Sequence, residues 1–328
     1  MRFAVETWAP DYGASVDGAA LADSDAAVDL TVERDPAAWA PVRLRVDTEA
    51  AACVLFVDGV QRIDARIWVT CDERPGPAGE PTGERTHQGV CASWAAGVVR
   101  CSESARVVVT EVRRGVLCPG VSVDTIVTRH GDYRPCLVPD TASDAVAQAL
   151  GRARGDLEGR VAVEAMAAAE GRAELLVVDG PLGDRRHIAG AVGYVKTHHV
   201  SYLPIDLQPI ASGLGPGERT PLFAIGDHRF RYSWYLRLPG VAAHPWWGIV
   251  RCEASGDLTR AEAVALAERV TATLPRFASQ PYNDPRAPQN LHPIAGLERE
   301  LRHRLGHLAV MDRALRQAAR SAAAGSAA

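Results

Sequence analysis

Residues 53–70, CVLFVDGVQRIDARIWVT, decide how the chain is read. Two runs rich in β-branched and aromatic residues flank a short polar break, which is the pattern of strand segments. Asp58-Gly59 at the end of the first run admits two readings. It is the leading short hairpin signal, and it is also a strand end that presents a carboxylate. Downstream, VCASWAAGVVRC (90–101) and ARVVVTEVRRGVLC (105–118) read as two more strands, with a weaker candidate at 121–128. Residues 74–87, which lie between the opening stretch and these strands, are a loop by their Pro and Gly content. Thr141 or Ser143 can cap a helix running from about 144 to 170. ELLVVDG (174–180) and AGAVGYVKT (189–197) are short buried strands, and a β-rich block occupies 221–254. Helices are expected at 258–274 and 293–320, before an Ala/Ser/Gly tail.

Antiparallel strands, then a helix, then alternating strand and helix is the order that the ribonuclease H-like α/β fold looks like, a mixed sheet flanked by helices. The additional β-rich block and the C-terminal helices extend it. Residues 1–45, mixing acids, Ala and Pro, are expected to form an N-terminal arm or cap; 46–308 form the main domain, and 309–328 a helix end and tail.

The 328 residues carry a formal charge of −4, with 47% hydrophobic and 23% charged residues, the composition of a globular protein with ample core. The 36 basic residues include one lysine, Lys196, leaving 35 arginines. A Walker A loop ends in Gly-Lys-Ser/Thr, and Val195 precedes Lys196, so a P-loop ATPase is excluded; a protein kinase lacks its lysine strand here as well. Arginine bias follows from a GC-rich coding habit, which leaves Lys196 as the exception. Seven cysteines with no CxxC pair read as buried apolar residues in a reducing compartment rather than as zinc ligands. The N-terminal MRFAVETWAPDYG does not resemble a signal peptide, and no run reaches about 18 apolar residues, so a cytoplasmic location off the membrane is expected.

Three carboxylates stand out. Asp58 and Asp179 each follow an apolar run and precede Gly, so each is either a turn residue or a strand-end ligand. Glu164 shares a helical stripe with Val146, Leu150, Leu157, Val161 and Ala168. An inward carboxylate on such a stripe calls for a compensating cation; pairing with Arg160 at i−4 is the plainer alternative. Hard oxygen ligands of this kind suit Mg²⁺ or Mn²⁺. Two such ions about 3.5–4 Å apart can drive phosphodiester hydrolysis.

On these residues the chain resembles the NurA nucleases, which work beside the HerA hexameric ATPase. The resemblance rests on Phe56-Val57-Asp58-Gly59, on a helix glutamate followed 15 residues later by Asp179 within LLVVDGPL (175–182), and on GYVKT (193–197). WGIVRCE (247–253) and PQNLHPIAGLERELR (288–302) complete it, over roughly residues 50–305. It implies that Asp58, Glu164 and Asp179 bind two Mn²⁺ or Mg²⁺ ions. Lys196 would then lie beside the scissile phosphate, and His292 would be a ligand or proton-transfer group. Val60 and Pro181 stand where the family has serines, so those hydroxyls are absent. In that setting a compact ammonium at Lys196 can meet a nonbridging oxygen as a point charge, where a guanidinium demands two-pronged geometry; an ordinary strand-end surface lysine is the alternative. His198 and His199 are expected in a loop near the groove, and His303 and His307 on an exposed helix face.

For DNA contact, Arg185 and Arg186 follow the second Asp-Gly, and Arg229 and Arg231 stand among Phe230, Tyr232, Trp234 and Tyr235. Arginine interleaved with aromatics can follow phosphates and stack bases; the same aromatics can equally alternate into a core or dimer interface. The resemblance implies a 5′-to-3′ exonuclease and single-strand endonuclease, a homodimer, and a HerA-type translocase as partner in DNA-end processing or phage defence. The alternatives are a noncatalytic DNA- or ATPase-binding subunit of the same fold, and an RNA-directed nuclease.

Overall fold

The computed structural model describes residues 22–23, 26–45, 47–72, 84–169, 171, 174–226, 230–240 and 244–326. In chain order these hold β1 (Ala22–Asp23), β2 (Ala27–Asp29), β3 (Val54–Asp72), β4 (Glu84–Cys101), β5 (Ala105–Leu117), β6 (Arg134–Cys136) and α1 (Ala145–Ala168). There follow β7 (Leu175–Asp179), β8 (Ala191–Val195), β9 (Val200–Ser201), α2 (Gln208–Ser212), β10 (Phe223–Gly226), β11 (Arg231–Arg237) and β12 (Ile249–Ser255). The last elements are α3 (Arg260–Thr273), α4 (His292–Arg304) and α5 (Leu308–Ser326). The protein is mixed α/β, with a large mixed sheet flanked by helices. The chain forms two compact units, Met1–Asp58 with Val98–Val108 and Ala162–Leu297, and Gly59–Gly97 with Val109–Val161 and Glu298–Ala328.

In the first unit the strands run β2-β10-β11-β12-β8-β7-β3. β7 pairs in parallel with β3 on one side and β8 on the other, whereas β12, β11, β10 and β2 continue antiparallel. The chemistry follows the pairing. Leu175–Val178 and Val54–Val57 are unbroken apolar runs and fully buried, as parallel strands covered on both faces require. Phe223, Tyr235 and Ile249 pack with Trp39, Leu203 and Leu207 into one core. A capping box between Thr259 and Glu262 starts α3, which buries Ala263, Ala267 and Val270. Residues 27–29 of the expected N-terminal arm are an edge strand of this sheet.

In the second unit the order is β3-β4-β5-β6, and Cys91, Val116, Tyr133 and Leu315 form the core. Asp64 is buried there and accepts hydrogen bonds from Ser93, from Tyr133 Oη at 2.9 Å and from Arg62 Nε at 2.8 Å. Arg62 also donates to the Gly306 carbonyl at 2.7 Å, satisfying the chain where α4 has ended. The single helix expected over 293–320 is broken there, because Gly306 adopts a φ of +80° that ends a helix and starts a new direction. His303 and His307 are both exposed, His303 within α4 and His307 beyond its end. Of the cysteines, Cys53, Cys91, Cys101, Cys118 and Cys252 are buried thiols. No helix among the described residues is long and apolar enough to cross a membrane.

Candidate functional site

The Asp58-Gly59 step is not a hairpin turn, because β3 runs unbroken through it. Its neighbour is β7, in parallel register from Val54 opposite Leu175 to Val57 opposite Val178. One residue beyond that last pair stand Asp58 and Asp179, so the two carboxylates share a level and a face on adjacent strands, which lie about 4.8 Å apart in any sheet. This is the C-terminal edge of the parallel strands, where open α/β sheets place their ligands. Asp58 is 8% exposed, since the strand around it is buried on both sides.

β8 supplies the third group. Asp179 pairs with Tyr194, and Lys196, two residues on, falls on the same face. Lys196 Nζ donates to Asp179 Oδ2 at 2.7 Å and to Asn290 Oδ1 at 3.0 Å. Asn290 in turn donates from Nδ2 to Asp284 Oδ2 at 2.8 Å, and the Arg286 amide donates to Asp284 Oδ1 at 2.7 Å. Tyr194 Oη donates to the Gln289 carbonyl at 2.6 Å, and complete burial holds its phenol protonated, far above the usual range. The segment from Asp284 to Leu291 is thus tied to the face that bears Asp179. Asn290 and Asp284, both buried, were not identified from the sequence. The only signal was the place of Asn290 two residues before His292 in the 288–302 motif; Asp284 lies outside that motif.

Asp179 Oδ1 is buried and has no hydrogen-bond partner among the described residues. A carboxylate oxygen withheld from water without a donor fits a hard cation in its place. The full ligand set expected from the sequence is nevertheless not assembled. Among the described residues no three His, Cys, Asp or Glu side chains stand close enough together to hold a metal ion. Glu164 is exposed, beside exposed Val163. The buried face of α1 keeps Leu150, Leu157 and Val161 of the expected stripe and extends from them to Glu158, Ala162 and Ala165, the side away from Glu164. The inward carboxylate of this helix is therefore Glu158, 4% exposed and paired with Arg154 at 3.1 Å. It lies against Gly59: a Cβ on that glycine would sit 2.4 Å from Glu158 Oε1. His292 is exposed at the first position of α4.

Several of the arginine and aromatic candidates fall on β11, which is buried on both faces from Tyr232 onward. Trp234 is fully buried and Tyr232 nearly so, which corrects their expected stacking on bases: both rings belong to the core. Arg231 is half-buried and pairs through Nε with Glu253 at 3.1 Å. Arg185 and Arg186 lie in a 3₁₀ turn, Gly183–His187, that follows β7, with Arg186 exposed. Arg229 lies outside the described residues. His198 is buried rather than on a groove loop, against the rings of Tyr235 and Trp246, with Nε2 3.1 Å from the Ile249 carbonyl.

No family model matches the chain, and no curated protein matches it. Among solved structures, that of the NurA nuclease from Sulfolobus solfataricus is similar over 88% of this chain and 86% of its own, at 9% identity and a TM-score of 0.44.

Proposed function

We propose that the chain is a metal-dependent nuclease of the NurA type, with a ribonuclease H-like core, that hydrolyses phosphodiester bonds in DNA. The observation that supports this best is the pair Asp58 and Asp179, level with each other on adjacent parallel strands, with the chain's one lysine, Lys196, bonded to Asp179. Hydrolysis breaks one phosphorus–oxygen bond, forms another to water and moves one proton to the leaving oxygen. Asp58 and Asp179 would hold Mn²⁺ or Mg²⁺, which would supply an activated water and offset phosphate charge. The chain's own groups do the rest. Lys196 offers a nonbridging oxygen a compact positive charge whose position Asn290 and Asp284 fix from behind. His292, at an exposed helix start, is placed in the role of proton donor to the leaving oxygen. Two ions, a homodimer and a HerA-type ATPase that moves the DNA complete the reading, which belongs to DNA-end processing or phage defence in a cytoplasmic setting.

The absence of a three-ligand cluster among the described residues favours a second reading, a noncatalytic subunit that binds DNA or the ATPase. One experiment separates the two: incubation of end-labelled single- and double-stranded DNA and RNA with the protein in Mn²⁺, Mg²⁺ or EDTA. Cleavage of DNA that EDTA abolishes and Asp58→Asn removes supports the nuclease. Binding without cleavage under every condition supports the subunit, and cleavage confined to RNA redirects the substrate.

A further inference from the structure

A second polar site lies on the opposite face of the same sheet. Asp179, Tyr194 and Cys252 are register partners and share one face, so Gly193 and Glu253, each a neighbour of one of them, point the other way. Over that other face the loop after β7 folds back. A Cβ on Gly193 would lie 2.5 Å from the Leu182 nitrogen, and the Leu182 amide donates to Glu253 Oε2 at 2.9 Å. Beneath the loop is a cavity of about 190 Å³, lined by Leu182, Gly183, Arg186, Tyr202, Phe230, Arg231, Arg251 and Glu253 among others.

Among the described lining residues the guanidiniums outnumber the carboxylates: Arg231 and Arg251 both pair with Glu253 Oε1, and Arg186 adds a third guanidinium. Burial works to raise the Glu253 carboxyl, but Arg251, the Leu182 amide and Arg231 outweigh it, so the group is held below the usual range and stays ionised. Tyr202 forms the wall under the guanidinium of Arg251, 4.8 Å from ring centroid to Cζ, which fixes the orientation of that fork. Phe230, 46% exposed, stands at the rim.

We propose that this cavity binds a phosphate monoester, the terminal phosphate of a nucleotide, with Phe230 facing the base. Three guanidiniums in the described lining suit a monoester, which carries about −1.5 to −2 at neutral pH, better than a backbone diester, which carries one. Arginine forks suit phosphate oxygens. The volume exceeds what a phosphate group fills but is smaller than a drug-sized pocket of about 300–1,000 Å³. The phosphate can come from a 5′-phosphorylated DNA end or from a free mononucleotide.

Calorimetric titration of the full chain in EDTA tests this without reference to cleavage. The ligands are inorganic phosphate, thymidine, thymidine 5′-monophosphate, and one oligonucleotide in 5′-phosphorylated and 5′-hydroxyl forms. Wild-type protein should bind the monophosphate and not thymidine. Arg186→Ala, at an exposed position, should weaken that binding at least about fivefold, and Arg251→Lys, which keeps the charge opposite Glu253 but not the fork, should do likewise. Asp179→Asn should bind as wild type, so loss of the proposed nuclease does not mimic loss of this site. Tighter binding of the 5′-phosphorylated oligonucleotide, abolished by Arg186→Ala, identifies the DNA end as the source. Equal binding of the two oligonucleotides beside binding of the free monophosphate identifies the mononucleotide. No binding of the monophosphate up to about 10 mM, which corresponds to a standard free energy weaker than roughly −3 kcal/mol, overturns the proposal, as does wild-type affinity in both arginine variants.

Discussion

Lys196 Nζ stands 2.7 Å from Asp179 Oδ2, while the other oxygen of that carboxylate is buried without a hydrogen-bond partner among the described residues. One carboxylate is thus half satisfied by a cation of the protein and half reserved. Asp179→Asn keeps the shape and removes the charge that both halves need. It should lower DNA cleavage by at least about a hundredfold with circular dichroism unchanged, measured as initial rates on end-labelled single-stranded DNA in Mn²⁺.

Lys196→Arg should retain the fold and lose most of the cleavage. The ammonium fits between Asp179 Oδ2 and Asn290 Oδ1 as a point charge, whereas a planar fork demands different angles and more room. Rates paired with thermal unfolding check this, and a variant that cuts at the wild-type rate would remove Lys196 from the mechanism.

Asn290→Ala should separate positioning from binding. Asn290 is fully buried and links Lys196 to Asp284. Its removal leaves two buried or half-buried polar groups short of a partner, at a cost of about 1–3 kcal/mol in stability. Steady-state kinetics should show kcat falling more than KM rises, since the side chain meets the lysine and not the DNA. Denaturant unfolding reads the stability loss.

Glu164→Gln and Glu158→Gln should behave oppositely. The exposed Glu164 should be replaceable within about 0.5 kcal/mol and without effect on cleavage. Replacing buried Glu158 weakens its ion pair with Arg154 and should destabilise by about 1–3 kcal/mol. Parallel urea unfolding curves and cleavage assays on the two variants decide it.

Stability should fall with acid through His198. Burial depresses its pKa from 6.5 to about 4. Above pH 6.5 the imidazole is neutral both folded and unfolded, but between pH 6.5 and about 4 only the unfolded chain takes up the proton, so stability declines as pH falls through that window and levels off below it. By pH 4.5 the loss attributable to this residue is about 2–3 kcal/mol. His198→Gln does not titrate, so its unfolding free energy should vary less between pH 7 and pH 4.5 than that of the wild type.

The strands and helices were readable wherever one element met one apolar pattern. α1 was expected at about 144–170 and spans Ala145–Ala168, and the runs ending in Asp58 and Asp179 are strands as expected, although the first, read among antiparallel strands, pairs in parallel with the second. What local pattern could not decide was long-range. Asp58-Gly59 has the chemistry of a turn, yet β3 runs through it for 19 residues, with β7 beside Val54–Val57 and β4 as its other neighbour. Glu164 shares a stripe with Leu150 and Leu157, but the buried face of α1 extends from that stripe to one side only, and the choice between Glu164 and Glu158 depended on what packs beside the helix. β11 is buried on both faces, so the alternation of its residues could not tell Trp234 from an outward-facing ring. Asn290 and Asp284 reach Lys196 across more than 80 residues of chain, a separation at which no spacing rule applies.

Gly193 has no side chain, and the loop after β7 rests directly on its backbone. That loop begins at Gly180, one residue after the carboxylate on one face, and by Leu182 it is anchored to Glu253 on the other. Three residues of backbone therefore join the two surfaces of the sheet, and a displacement of the loop cannot be confined to either of them. A methyl group at position 193, touching neither the acidic pair nor the arginines, would be felt on both sides at once.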